Sequence, residues 1–260
     1  EFRRVLDWKT VNAKQILTLF PNFGDTIYDG LSILMIDEIS IKKRKKYLTV
    51  IVDYATGRIV WMGKDHWAST LDSFFEKMTD KQRKDIKAVA LDMWDPYIKG
   101  VRQNCPNAKI VFDLFHVVKQ FNRAMNTVRN REYRNAKKEH KKVIKGSRYI
   151  LLKGKRKLNQ SEKQHLKELI EINKNISTTY ILKDLLKELW KYKYPACAKK
   201  ALAEWTKIAI ESEIPEMIYY ARRLNKYSYG IINHCKYQIN SGKIEGTNNT
   251  LKVIKRSAYG

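Results

Sequence analysis

The spacing of apolar residues divides this chain into two parts that fold differently. In the N-terminal part, three short apolar runs, Ser32–Asp37, Tyr47–Tyr54 and Arg58–Met62, are separated by turn-like segments and are typical of hairpin-connected strands. Two further strands are predicted at Ile86–Asp92 and Lys109–Phe112, each preceded by a segment of helical spacing. These elements predict an α/β core with a mixed five-stranded sheet and flanking helices.

From Leu114 onwards the apolar residues recur at the helical period. One face of the first predicted helix carries four of them: Val117, Phe121, Met125 and Val128. Lys- and Glu-rich helical sequence without strand signals then continues to about residue 224. The predicted organisation is therefore a core in residues 27–128, a large all-α basic insertion domain in residues 129–225, and a return to the core in residues 226–260.

The chain carries a large excess of positive charge. Its 260 residues include 52 Lys plus Arg against 27 Asp plus Glu, a formal net charge of +25. One cluster consists of Lys42, Lys43, Arg44, Lys45 and Lys46. A longer basic run, Arg129–Lys157, holds 13 Lys or Arg and only two Glu. Either group alone can be a solvated surface, but so large a net charge favours binding to a polyanion, most commonly nucleic acid.

Several other classes of protein are disfavoured. No apolar run approaches the roughly 18 residues that a membrane span needs, so no membrane partner is predicted. The first residues contain no apolar signal segment, so nothing indicates export. The three cysteines, Cys105, Cys197 and Cys235, are too few and too widely spaced for a disulfide framework or a zinc ribbon. We expect reduced, mostly buried thiols and a cytoplasmic location.

Two predicted strands of the core end in an acid, Asp37 and Asp92. If these strands are parallel neighbours, both carboxylates emerge at the same edge of the sheet, where α/β proteins place their sites. Two close carboxylates repel each other and are stabilised by a divalent cation such as Mg²⁺ or Mn²⁺. The alternative is that each Asp simply caps a loop, and the spacing leaves both interpretations open.

A third acid for such a site has to come from elsewhere in the chain. Glu245 borders the apolar stripe of the last predicted helix, and Asn248, Asn249, Lys252 and Arg256 follow on the same flank. An acid followed by amides and cations suits a helix that lies over a metal and a phosphate backbone. The alternative is an ordinary first-turn Glu favoured by the helix dipole.

Four short motifs together resemble the DDE transposases of the ISL3 insertion-sequence family. They are Ile36-Asp37-Glu38, the segment Leu91–Tyr97, the segment Asp113–Val117, and Glu245–Asn249 followed by Lys252, Lys255 and Arg256. Each motif alone is weak, but four in the family's order, with a long helical stretch before the Glu, are specific. The resemblance extends from about residue 31 to the C-terminus. Residues 1–26 resemble the end of the family's helix-turn-helix and a linker.

The resemblance implies an RNase H-like fold interrupted by the all-α insertion domain. It implies that Asp37, Asp92 and Glu245 are catalytic and hold two Mg²⁺ or Mn²⁺ ions. Asp113 and His116 are similar to an acid-x-x-His motif that lies near the active site of several transposase superfamilies and contacts DNA. A lone His at the start of a helix is more often structural, so this role has a plain alternative.

The implied activity is metal-dependent phosphodiester cleavage at transposon ends, followed by strand transfer into target DNA. The implied partners are double-stranded DNA, at the ends and at the target, and a second copy of the chain in a dimer on DNA. Two rival functions stay open: an RNase H-like nuclease or resolvase without strand transfer, and a non-catalytic DNA-binding protein derived from a transposase.

Two aromatic residues, Trp94 and Tyr97, follow Asp92 closely. They can either pack beneath the site or stack on unpaired bases. Packing of both is the preferred prediction, because Pro96 begins a helix whose first turn directs Tyr97 towards the sheet.

Overall fold

The computed structural model describes residues 28–42 and 46–239, together with Gly242, Gly246 and Asn249. Contacts divide the described residues into two units. One holds the residues up to Asp113 and those from Tyr237 onwards, and the other holds Leu114–Lys236. In these described ranges no helix has both the length and the apolar character that crossing a membrane requires.

The first unit is built on a five-stranded mixed sheet. Its strands are β1 (Ile33–Lys42), β2 (Lys46–Asp53), β3 (Ile59–Lys64), β4 (Ala88–Leu91) and β5 (Lys109–Phe112). They lie in the order β3-β2-β1-β4-β5. The β1–β2 and β2–β3 pairs are antiparallel, whereas β4 is parallel to both β1 and β5. The predicted α/β core and its mixed five-stranded sheet are therefore confirmed.

The first strand corrects one expectation. It runs five residues beyond Asp37 to Lys42, so this acid lies inside the strand and does not end it. Pairing with β2 continues past the acid because Ile39 is buried between the exposed Glu38 and Ser40, which is the alternation of a half-buried strand. The fourth strand does end next to its acid, since Asp92 follows Leu91 directly.

Helices pack against one face of this sheet. The first unit contains α1 (Ala68–Phe75), α2 (Asp80–Asp85) and α3 (Asp95–Asn104). Phe74 of α1 contacts the ring of Trp61 on β3, with 5.7 Å between the ring centroids. Helices α1 and α3 approach closely where Gly100 faces Leu71. These contacts bury the apolar side of both helices and fix the loops that lead into them.

We expect Gly63→Ala to destabilise the first unit. Gly63 of β3 lies beside the indole of Trp61, and an added Cβ would come 2.0 Å from Trp61 Cη2. Accommodating that atom moves the indole off Phe74, and overpacking of this kind costs about 1–3 kcal/mol of unfolding free energy. Chemical denaturation measures the loss. Gly154→Ala is the control, because no atom lies within 4 Å of its added Cβ; an equal loss in both variants would exclude the ring contact as the cause.

The second unit is helical throughout its described residues. Its helices are α4 (Leu114–Asn135), α5 (Lys138–Ile144), α6 (Arg148–Leu152), α7 (Gln160–Ile172), α8 (Lys174–Glu188), α9 (Pro195–Glu211), α10 (Pro215–Lys226) and α11 (Ser228–Asn233). The boundary predicted at residue 129 falls inside α4, because α4 is one continuous helix. The apolar face predicted for it is buried as expected, at Val117, Phe121, Met125 and Val128.

Two buried polar side chains inside this unit donate to backbone carbonyls. Tyr220 Oη donates to the Val117 carbonyl at 2.8 Å, which ties α10 to the start of α4. Lys183 is fully buried and its Nζ donates to the carbonyls of Leu151 and Lys153 at the end of α6. Burial lowers the pKa of Lys183 to about 8. The loop after α6 is thereby anchored to α8.

Candidate functional site

The two acids that the sequence singles out lie on neighbouring strands. The parallel β1–β4 ladder pairs Ile33 with Ala88 and continues to Met35 with Ala90. Continued two residues past the paired residues, the same register leads from Asp37 to Asp92, which directly follows the last residue of β4. Residues directly opposed in a sheet project from the same face. From this register we expect the two carboxylates on one side of adjacent strands, although 54 residues separate them along the chain.

A third acid continues this row. The β4–β5 ladder ends with Leu91 paired to Phe112, so the next residues along the register are Asp92 and Asp113. We call Asp37, Asp92 and Asp113 the acid row. The family resemblance placed Asp113 near the active site as a DNA contact, but it did not align Asp113 with Asp37 and Asp92. The signal was present, because Asp113 follows an apolar strand just as Asp92 does, but only the strand order shows the juxtaposition.

The acid row is next to a chain of hydrogen bonds that fixes its surroundings. Thr49, which pairs with Glu38 across β1 and β2, donates from Oγ1 to the Asp65 carbonyl at 2.7 Å. That donation uses the only hydroxyl hydrogen of Thr49, so the 2.7 Å contact with Tyr97 Oη has the phenol as donor. The chain joins α3, β2 and the loop before α1 into one rigid edge of the sheet.

Electrostatics at this edge follow from the same geometry. Burial raises the pKa of Tyr97 well above its usual range, and the carboxylates of Glu38, Asp37 and Asp92 raise it further, against the opposing hydrogen bond with Thr49. The phenol therefore stays neutral and remains a hydrogen-bond donor.

The C-terminal segment returns to the face of the sheet that carries Asp37. Met35 and Ile39, which flank Asp37 on the same side of β1, pack in one cluster with Val50 and Ile239. The structure thus leads the chain to this face shortly before residue 245. Glu245 itself lies outside the described residues, so its predicted role as third ligand stays a prediction. Gly242, Gly246 and Asn249 have helical backbone, and Asn249 is exposed.

The carboxylates at this edge of the sheet are suitable ligands for a hard divalent cation. Asp37 is half-buried and its Oδ1 accepts the Glu38 backbone N–H at 2.8 Å, which orients the carboxylate. Asp92 is also half-buried. Oxygen ligands of this kind select Mg²⁺ or Mn²⁺. Among the residues that the structure describes, no three His, Cys, Asp or Glu side chains are grouped closely enough to enclose a metal.

The residues predicted to contact DNA are distributed over both units. Of the predicted basic cluster, Lys42 ends β1 and Lys46 begins β2, whereas Lys43, Arg44 and Lys45 lie outside the described residues. His116 lies half-buried in the first turn of α4, where its ring contacts Phe115. Four more predicted DNA contacts also lie outside the described residues, so their roles stay predictions: Asn248, Lys252, Lys255 and Arg256.

The basic run covers the end of α4, all of α5 and α6, and the turn after α6. Ten of its 13 cationic side chains are exposed. Only a few have acidic partners, such as Lys153 with Glu162 at 2.5 Å and Lys155 with Asp184 at 3.9 Å. The structure therefore presents much of this run to solvent, as an accessible positive surface on the second unit.

The two aromatic residues after Asp92 differ in how much of their surface is buried. Tyr97 is packed with 2% of its surface exposed, as predicted, but Trp94 is 40% exposed, so the prediction of packing is wrong for Trp94. Trp94 is the N-cap of α3 and has extended backbone, which places it before the helical turn that directs Tyr97 towards the sheet. Sequence reasoning also missed His66, whose ring contacts Trp94, and Trp67, which stacks on His66.

A mixed five-stranded sheet of this order, with one acid in β1 and another directly after β4, defines an RNase H-like α/β domain. Comparison with known proteins gives the particular family. Residues 34–260 match the model of the ISL3 type of DDE transposase, which is described as "Transposase". The chain belongs to this family of transposases.

Curated relatives agree with that assignment. The chain is 35% identical, over 98% of its length, to the transposase for insertion sequence element IS1001 of Bordetella parapertussis. It is 28% identical, over 97% of its length, to the transposase for insertion sequence element IS1557 from two strains of Mycobacterium tuberculosis. The chain spans 64% and 62% of the length of these relatives, respectively.

Proposed function

We propose that this chain is the catalytic part of a transposase that cuts DNA at transposon ends and joins the freed ends to target DNA. The observation that carries the proposal is that Asp37 lies in β1 and Asp92 directly follows the parallel neighbouring strand β4, in a chain of the ISL3 transposase family. The relatives' names as transposases for insertion sequence elements support the same activity. Asp37, Asp92 and Glu245 are the proposed catalytic residues.

The same three acids are proposed to hold two Mg²⁺ or Mn²⁺ ions. When bound, such an ion pair supplies Lewis-acid chemistry, which lowers the pKa of an attacking water or 3′-hydroxyl and stabilises the leaving oxygen. The chain's own residues contribute by holding the acids in position. The Glu38 backbone N–H orients the Asp37 carboxylate, and the bonds from Tyr97 to Thr49 and on to the Asp65 carbonyl keep the sheet edge rigid.

Double-stranded DNA is the proposed partner, both as transposon end and as target. The net charge of +25 and the exposed basic run support this, because cations that neutralise phosphates release counterions and so favour binding. The proposed DNA contacts near the active site come from Asp113, His116 and the residues that follow Glu245. A dimer on DNA is part of the proposal, since two ends have to be cut and joined together.

A strand-transfer assay tests this proposal against its rivals. The chain is incubated with labelled DNA that carries transposon ends, with supercoiled target plasmid, and with Mg²⁺ or Mn²⁺. We expect nicks at the ends and products in which labelled ends are joined to the plasmid. Nicks without joined products would identify a nuclease or resolvase. DNA binding without either product, in the full-length protein as well, would identify a non-catalytic DNA-binding protein.

A further inference from the structure

Two tryptophans are exposed beside the acid row. Trp67 is 55% exposed and Trp94 is 40% exposed, although large aromatic side chains contribute most when they are buried. Trp94 comes two residues after Asp92, and its backbone N–H donates to the Asp92 carbonyl at 2.7 Å. The Trp94 indole therefore belongs to the turn that carries a proposed catalytic acid.

The tryptophans are held in place by contacts of the first unit. Trp67 stacks on the His66 ring at 5.1 Å with an interplanar angle of 19°, and His66 also contacts Tyr47 at 4.5 Å. Trp94 Nε1 donates to the His66 carbonyl at 3.2 Å. We call His66, Trp67 and Trp94 the aromatic platform. It is a pre-formed surface, because each ring has a partner that fixes its orientation.

The loop that supports the platform is strained and tightly bound. Asp65 has a φ of 68°, in the left-handed region that residues other than Gly seldom adopt. Its backbone N–H donates to the Tyr47 carbonyl at 2.9 Å, and its carbonyl accepts from Thr49 Oγ1 at 2.7 Å. Strain of this kind persists only where the surroundings impose it, and it concentrates at functional sites.

A groove of about 730 Å³ opens next to the platform. Trp67 and Ser69 border it on one side, and Asp95, Lys99 and Arg102 of α3 border it on the other. Lys99 and Arg102 are both exposed, and residues three apart lie on one face of a helix. The groove thus combines an aromatic wall with two cations, and its volume is in the range of small-molecule sites.

We propose that this groove binds an unpaired nucleobase of the DNA strand, next to the bond that is cut. Trp67 stacks on the base with the ring surface that His66 leaves uncovered, and Lys99 and Arg102 neutralise the flanking phosphates. The Asp95 carboxylate is placed to accept from an exocyclic amino group. This inference rests on the proposed function, since that function brings DNA to the neighbouring acids.

The choice of an unpaired base follows from the chemistry of the groove. An aromatic wall flanked by cations is the combination that holds single-stranded nucleic acid. In an intact duplex each base is already stacked between its neighbours, so a protein ring reaches a base face only where pairing is broken. Trp94, whose Nε1 holds the His66 carbonyl, is assigned as a positioning residue for the platform.

The test compares two DNA probes without metal. One is a duplex with a mismatched, frayed end that carries 2-aminopurine at the unpaired position, and the other is the fully paired duplex. We expect the chain to bind the frayed duplex more tightly and to quench the 2-aminopurine fluorescence. Trp67→Ala and Trp67→Leu should weaken frayed-end binding roughly 5- to 100-fold and abolish the quenching, with paired-duplex affinity unchanged. Trp67→Phe, which keeps an aromatic face, should retain most of both.

Controls separate stacking from folding. Tyr219→Ala removes another exposed aromatic, 69% exposed on α10 of the second unit, and should change neither probe's affinity. All variants are checked by thermal melting. The inference is overturned if the wild type does not prefer the frayed end, if Trp67→Leu binds it normally, or if Trp67→Phe and Trp67→Leu lose affinity equally.

The same experiment distinguishes failure of this inference from failure of the proposed function. Asp92→Asn should keep the preference for frayed ends, because Asp92 is not part of the platform. A preserved preference, in a protein that cuts no DNA even at full length, would reject the proposed function and leave the groove assignment intact. Efficient cleavage without any preference for frayed ends would reject the groove assignment alone.

Discussion

Asp92→Asn is expected to slow DNA cleavage by at least about 1,000-fold, and Asp37→Asn to slow it to a similar extent. Each substitution removes one negative charge from the pair of carboxylates that β1 and β4 bring into register. Metal catalysis of phosphoryl transfer is worth several kcal/mol, and each 1.36 kcal/mol is a factor of ten in rate. Cleavage of labelled end DNA under single-turnover conditions measures the loss.

The loss of cleavage is informative only if the two variants still bind DNA. Asn has the shape of Asp, and an Asn at position 37 can still accept the Glu38 backbone N–H, so folding and DNA affinity should be unchanged. Mn²⁺ binding, followed by calorimetry, should weaken in both variants. Glu76→Gln, an exposed acid at the end of α1, is the matched control and should cut DNA normally. Full cleavage by Asp92→Asn would reject the proposed catalytic site.

The acid row also makes the identity of the third ligand testable. Sequence resemblance assigns that role to Glu245, whereas the β4–β5 register places Asp113 beside Asp92. We expect Glu245→Gln to lose cleavage as completely as Asp92→Asn does, and Asp113→Asn to lose less. The reverse order would assign the third position to the acid row itself.

The fold of the core was largely predictable because its strands carry apolar runs that are mostly buried. The bounds of β5 match the predicted Lys109–Phe112, and the face of α4 was predicted from the spacing of four apolar residues. Helix α2 was missed because none of its residues is buried, so it has no apolar period to detect. The signal it does have is a capping box, in which Thr79 and Gln82 satisfy each other's backbone N–H groups.

The residues of the candidate site could be predicted from the sequence, but their spatial arrangement could not. The sequence indicates that Asp37 and Asp92 belong to strands, but their register depends on β4 pairing with β1, which is a tertiary choice. Asp113 joins the row only because β5 then pairs with β4. Whether an aromatic residue is exposed also depends on contacts with residues that are distant in the sequence. Trp61 is buried by Phe74 from α1, whereas Trp67, six residues later, precedes α1 as its N-cap and stays exposed.

Neutralising the basic run is expected to flatten the salt dependence of DNA binding. The slope of log affinity against log salt changes by about 0.9 for each phosphate of duplex DNA that the protein no longer neutralises. Four exposed cations of the run are replaced by Gln together: Lys142, Lys145, Arg156 and Lys157. If all four bind phosphates, the slope should decrease by about 3 to 4, and affinity at low salt should fall steeply. Fluorescence anisotropy over a series of salt concentrations measures both quantities.

A charge-matched control decides whether the location of these cations matters. Replacing Lys193, Lys199, Lys200 and Lys207 by Gln removes the same number of exposed charges from the same unit, on and before α9. The net charge of the two variants is identical, so the long-range attraction of DNA by the whole molecule falls equally in both. Direct binding to phosphates, in contrast, is weakened only if the replaced cations lie where the DNA binds. We therefore expect a large change of slope for the basic run and a small one for the control. Equal slopes in the two variants would mean that the run is a solvated surface, and that DNA follows another path over the protein.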